Sequence, residues 1–316
     1  MKRGFVVMKK MILVAMTVVM GLVLASCGSD QKAEGQSEMH TYTMPNGKKV
    51  EIPNNPKKIV VTEYMGSLAA LGVKPIGAKS FVLQNPYLEP YKKGVEDIGD
   101  PGSPEKVAEL QPDLIIVSQE DEYNQMKKIA PTVLIPYNTY KNVQDELTAI
   151  GKLVGKEQEA KDWLADFDKK AAKAREEIKG SIAPDATVGL YEGDDKNFYV
   201  FGDNWGRGGQ VLYNALQLKA PQKIQDQVIK GDGYKQLSLE VLPDFAADYM
   251  FVTRFKHGDS RNGALDEMEQ SSIWKDLPAY KAKHIYTMDF DEMYNYDPIA
   301  IEGQMEILVN KITGKE

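Results

Sequence analysis

Trp205 and Arg207 stand two positions apart in the run Phe201-Gly202-Asp203-Asn204-Trp205-Gly206-Arg207-Gly208-Gly209. A guanidinium offers a fixed fork of hydrogen-bond donors that never deprotonates, and an indole offers an apolar wall with one polar edge. Gly206, Gly208 and Gly209 let the backbone turn sharply and approach a bound molecule closely. Such a loop suits non-covalent recognition. Glycine-rich loops also cradle phosphates, but no Gly-Lys-Ser/Thr follows here and no ordered G-x-G-x-x-G precedes a nucleotide fold, so a nucleotide site is not expected. Covalent chemistry has few candidates: there is no G-x-S-x-G elbow, and the three histidines, His40, His257 and His284, stand in no metal-binding spacing. Asp289-Phe290-Asp291-Glu292 reads as a solvated turn, so no direct metal site is expected.

The elements that must position the loop alternate between short β-branched runs and helical patterns, the rhythm of an α/β fold. Strands are predicted at 58–62, 75–78, 113–118 and 132–137, with short helices at 66–71 and from Pro104. From 143 to 180 apolar residues recur at helical spacing among many charges, giving one long helical region with a break near Gly155. Strands resume at 187–191, 198–201, 249–253 and 284–288. Ligands of open α/β sheets gather at strand ends, which singles out Tyr64, Tyr137 and Arg254, with Tyr294 in the late loop. Tyr137 reads equally well as a half-buried core tyrosine, and Arg254 as a solvated charge beside Lys256 and His257. An internal echo, Pro104 to Val117 against Leu239 to Val252, supports two halves. In each copy a Glu, Glu105 or Glu240, opens a helix, with Ser103 and Ser238 as candidate N-caps.

Cys27 is the only cysteine, so no disulfide can form within the chain. It closes Leu24-Ala25-Ser26-Cys27 after two basic pairs, Lys2-Arg3 and Lys9-Lys10, and the apolar stretch Met11 to Leu24. This is a secretion signal, shorter than the roughly 20 apolar residues of a membrane-spanning helix. Met8 offers a second start. Removing residues 1–26 takes away four of the 39 basic residues and none of the 46 acidic ones, leaving a net charge of −11. That surface argues against nucleic acid as a partner. Gly28 to Glu38 is polar and small and reads as a tether. The expected organisation is a signal peptide (1–26), a flexible tether (27–39), an N-terminal lobe (40–142), a linking helical region (143–180) and a C-terminal lobe (181–316).

Several segments taken in order resemble one family: His40-Thr41-Tyr42 with the Asn46-Gly47 turn, Pro-Glu-Lys-Val at 104–107 leading to Pro-Asp-Leu-Ile-Ile at 112–116, and Ala130-Pro131-Thr132-Val133. The 201–209 loop, Ser272-Ile273-Trp274-Lys275-Asp276-Leu277 and Tyr294-Asn295-Tyr296-Asp297-Pro298 complete the series. The chain resembles the siderophore-binding lipoproteins of Gram-positive bacteria, substrate receptors of iron-importing ABC transporters. The resemblance implies two Rossmann-like lobes joined by a single long helix, a stiff hinge, with the ligand in the cleft between them. It implies that Cys27 carries a lipid holding a monomer at the outer face of the cell membrane. Trp205 and Arg207 would contact a ferric siderophore, which is a ligand and not an intrinsic cofactor. Glu105 and Glu240, one per lobe, would dock the receptor on arginines of the permease. Tyr294 stands where hydroxamate-binding relatives commonly carry Trp. Arg254, untypical of them, would favour an anionic, citrate-hydroxamate ligand. Ferric citrate, a catecholate or haem are the other chelates to weigh, and an exported α/β enzyme is the rival class.

Overall fold

Strands β1 (Met39–Thr43) and β2 (Lys49–Pro53) pair antiparallel around the Asn46-Gly47 turn, where Gly47 takes φ +81°. The computed structural model describes residues 38–256 and 258–315. The signal segment, Cys27, nearly all of the tether and His257 lie outside the described residues.

Five strands follow: β3 (Ile59–Val61), β4 (Gly77–Ala78), β5 (Glu96–Asp97), β6 (Leu114–Val117) and β7 (Thr132–Leu134). They form a sheet in the order β5-β4-β3-β6-β7 with every pair parallel. Every residue of β3, β6 and β7 is buried, as an apolar strand covered on both faces requires. A second sheet holds β8 (Val188–Gly193), β9 (Phe198–Phe201), β10 (Tyr234–Leu237), β11 (Tyr249–Arg254) and β12 (Ile285–Asp289), in the order β10-β9-β8-β11-β12. Here β8, β11 and β12 run parallel, while β9 and β10 form an antiparallel flank. The short β5 and the half-exposed β10 carry too little apolar pattern to be seen in the sequence.

Both sheets are wound alike. The chain starts in the middle strand, β3 or β8, builds outward on one side, and then returns to the other side with β6 or β11. The echo segments are the connections that lead into β6 and β11, so the repeat has a topological meaning. In the first copy the Pro104–Leu110 helix is capped by Ser103, whose Oγ accepts from Lys106 N at 3.3 Å. The second copy departs from expectation. The backbone carbonyl of Ser238, not its hydroxyl, accepts from Val241 N and Leu242 N, and Glu240 sits in that turn before the short Leu242–Phe245 helix.

The linking region is two helices, Val143–Leu153 and Glu157–Glu177, separated by a turn in which Gly155 has φ +69°. The longer one joins the lobes. Ala160, Trp163 and Leu164 pack on the core beneath the first sheet, while Phe167, Ala171 and Ala174 pack on a core of the second. A further helix, Pro298–Thr313, does the same. Its Ile299 reaches the first core, and Ile301, Met305, Leu308 and Val309 the second. Its N-cap Asp297 accepts from Ile299 N at 3.0 Å and Ala300 N at 3.1 Å, and also from Asn85 Nδ2 at 2.7 Å. A Cβ at Gly66 would lie 2.0 Å from Asp297 Oδ1, so only glycine admits this contact.

On the Val143–Leu153 helix, Glu146 is buried and accepts a hydrogen bond from Ser67 Oγ. Burial pushes its carboxyl from 4.5 up to about 7, against the pull of Ser67 and with the nearby Asp297 and Glu63 adding to the rise. A carboxyl whose folded-state pKa is raised favours folding in its protonated form, so that contribution is present below 4.5 and is lost as pH climbs to about 7. Glu146→Gln should therefore flatten the decline in stability across that window and raise Tm above it by a few degrees, on the order expected for about 1 kcal/mol. Thermal melts from about pH 4 to pH 8 check this, and an unchanged slope would contradict it.

Candidate functional site

At the carboxyl ends of both sheets lies a cavity of about 520 Å³. Each wall comes from a place where the strand order reverses, the position at which open α/β sheets take ligands. Glu63 and Tyr64 follow β3, Phe81 follows β4 and Tyr137 follows β7 on one side. On the other, Glu192 closes β8, the 202–209 loop carries Trp205 and Arg207, and Tyr294 to Asp297 follow β12.

The loop turns through three successive left-handed residues, Gly206 at φ +75°, Arg207 at +58° and Gly208 at +87°. A side chain at Gly206 would meet Tyr294 O at 2.0 Å, so the loop can lie against that segment only as glycine. For Arg207 the left-handed conformation costs about 1–2 kcal/mol, offset by what its guanidinium gains. Nε and Nη2 donate to Glu192 Oε2 and Oε1 at 3.0 and 2.7 Å, and Nη1 donates to Trp205 O at 2.8 Å. The guanidinium carbon lies 4.4 Å from the Phe201 ring centre and 4.9 Å from that of Tyr294. Of the five N–H groups of an arginine, these bonds engage three. Because Glu192 is buried and matches its charge, Arg207 acts as a rigid donor with little net charge.

Aromatic rings continue the wall. Trp205 stands edge-on to Tyr234 at 5.1 Å and tilted against Tyr137 at 5.7 Å, with Tyr296 beyond at 5.6 Å. Its Nε1 donates to Asp232 O at 2.8 Å, which fixes the ring. Phe81 meets Tyr294 edge-on at 5.8 Å. Phe81, Tyr137 and Tyr234 stay 40, 38 and 43% exposed, an apolar surface left uncovered at a cavity, as a binding site leaves it. Tyr64 is buried, with its hydroxyl donating to Ile135 O at 2.9 Å. Burial raises the Tyr64, Tyr137 and Tyr296 phenols well above their ordinary value, so each keeps its proton.

Carboxyls also line the cavity. Burial pushes Glu63 up to about 7, against the attraction of Lys79 and reinforced by the charges of Glu122, Asp100 and Asp297. Burial raises Asp297 as well, although its backbone and Asn85 hydrogen bonds pull the other way. Lys79 is itself held by Asp100 and Glu122, each at 3.1 Å.

Trp205, Arg207, Tyr294, Tyr137 and Tyr64 all line this cavity. Arg254 does not. Its Nη1 and Nη2 bind Asp266 and Glu269 at 2.6 Å each, carboxylates presented by the Gly263–Gln270 helix. The charge that suggested an anionic ligand is thus neutralised outside the cavity, and Arg254 gives no ground for one. Sequence reasoning missed Glu63, Glu192, Phe81 and Tyr234. The strand-end rule could have found the two glutamates, each beside a tyrosine at the end of a central strand. Among the described residues, no group of three or more His, Cys, Asp or Glu is arranged to hold a metal ion.

Residues 59–292 match a family described as periplasmic binding protein. The iron(3+)-hydroxamate-binding protein YxeB of Bacillus subtilis is 47% identical over 313 residues, covering 96% of this chain and 97% of that protein. The iron(3+)-hydroxamate-binding protein FhuD of the same organism is 40% identical, covering 92% of this chain and 93% of that one. Among solved structures, FhuD2 from Staphylococcus aureus with bound ferrioxamine B is 36% identical, with a TM-score of 0.72 over 82% of this chain and 99% of that chain. The two lobes, the cleft between them and the extent of these matches all point the same way: the protein belongs to the periplasmic binding protein family, as a substrate-binding component and not an enzyme.

Proposed function

We propose that this chain is the receptor of a ferric-siderophore importer and binds a hydroxamate-type complex. The observation that carries the reading is the pairing of an aromatic-walled cavity with a fixed donor fork. A siderophore supplies the oxygens around its iron, so the protein has no need to ligate the metal. What it needs is flat apolar contact with the chelate and donors aimed at the iron-bound oxygens. Trp205, Tyr137 and Tyr294 provide the first, Arg207 the second. The names of the hydroxamate-binding relatives support the same ligand class.

Delivery would follow from two further features. Cys27, lipid-modified, would tether a monomer at the outer face of the membrane through the 28–38 segment, keeping it within reach of an ABC permease. Glu105 and Glu240, both exposed and each leading into the strand that flanks its sheet's middle strand, would dock on permease arginines. Exposed ion pairs are weak, which suits a contact that must be released, and the tether raises the local concentration that compensates for it.

Titration of tryptophan fluorescence against ferric hydroxamates, ferric citrate, a ferric catecholate and haem should show quenching by hydroxamates at micromolar concentration. Silence from every hydroxamate would overturn the reading, and a shifted haem absorption band would replace it with haem ligation. Arg207→Ala would leave Glu192 charged and alone, so Arg207→Lys is the better probe. It should fold, as circular dichroism would report, yet bind about tenfold more weakly, since one lost hydrogen bond of this kind is worth about 1.5 kcal/mol or more; unchanged affinity would remove the fork from the site. Cys27→Ala, and separately Glu105→Ala with Glu240→Ala, should keep full affinity in solution while iron uptake by cells falls. Normal uptake would exclude the roles given to them.

A further inference from the structure

The two halves of the fold place one glutamate each at the point where strand order reverses, and only one of the two has a cation. Glu192, at the end of β8, is held by the fork of Arg207. Glu63, two residues past the end of β3, lines the same cavity, and its carboxyl has no hydrogen-bond partner among the described residues. Lys79 is close enough to be felt but is bound by Asp100 and Glu122, and the other charged groups near Glu63, Asp297 and Glu146, are acidic. The cavity as a whole repeats this imbalance. Five carboxyls, of Glu63, Glu146, Glu192, Asp194 and Asp297, face the single guanidinium of Arg207, already matched by Glu192.

We propose that the cleft selects its ligand by charge, with Glu63 receiving a cationic group, such as a primary ammonium, carried at the edge of the ferric chelate. Chelates bearing an uncompensated carboxylate are disfavoured. This rests on the hydroxamate reading above and narrows it. In a cavity walled by aromatic rings a charge is poorly screened, so one added like charge weakens binding and one opposite charge strengthens it. The raised pKa of Glu63 adds a signature: the empty site retains part of a proton near neutrality, and an ammonium arriving beside it drives that proton off.

Three ferric trihydroxamates with the same chelating arms test the idea: one with a free terminal amine, its N-acetyl derivative and its N-succinyl derivative. By calorimetry at about pH 8, where Glu63 is mostly ionised, the amine form should bind tightest and the succinyl form weakest, with a ratio of about tenfold or more between them. In Glu63→Gln that ratio should shrink to about threefold or less. A measurement on the unaltered protein stands beside it. At about pH 7, titration in two buffers of different ionisation enthalpy should show more proton release with the amine form than with the acetyl form. Equal affinities of the three ligands, a ratio unchanged in Glu63→Gln, or equal proton release would each overturn charge selection while leaving the hydroxamate reading in place. Failure of all three to bind would overturn both.

Discussion

Arg207 holds a left-handed backbone between two glycines, and the fork it makes with Glu192 is the contact that keeps the loop in that shape. Through Glu192 the loop is tied to the end of β8, the middle strand of its sheet. Through Nη1 the same guanidinium fixes the backbone of Trp205, and the close approach at Gly206 seats the loop on the Tyr294 backbone. Removing one member of such a buried pair leaves the other charged and unmatched, a cost of about 3–5 kcal/mol. The indole, the Tyr294 wall and the donors offered to a ligand therefore stand or fall together.

The helix that links the lobes is not their sole brace among the described residues. Glu157–Glu177 and Pro298–Thr313 each bury residues in the cores of both halves, and Lys170 and Glu302 pair between them. Asp297 adds a polar joint at the end of the second helix, binding Asn85 of the first lobe and abutting Gly66. Two struts resist bending in more directions than one.

Much of this was legible in the sequence for a simple reason. Strands covered on both faces must be continuous apolar runs, and β3, β6, β8 and β11 were visible as such. Tyr64 and Tyr137 follow from where strands end, and the 201–209 loop from its own glycines, Trp205 and Arg207. Arg254 reads two ways in the sequence because its partners, Asp266 and Glu269, belong to a helix whose packing no local pattern reveals. Glu63 and Glu192 were passed over because a carboxylate at a strand end looks like an ordinary solvated terminus until burial is known. The Pro298–Thr313 helix escaped because it is apolar around much of its circumference, having two cores to satisfy, and so lacks the one-sided periodicity that marks an amphipathic helix.

The double strut also bears on how a transporter would know that this receptor is loaded. A receptor that closes around its cargo announces occupancy through its outline. With both lobes braced, the outer surface carrying Glu105 and Glu240 would be nearly the same whether the cleft is empty or full. Empty and loaded copies would then compete on almost equal terms for the permease, and the discrimination would have to come from the cargo's own surface at the cleft mouth, among Phe81, Tyr137 and Tyr234.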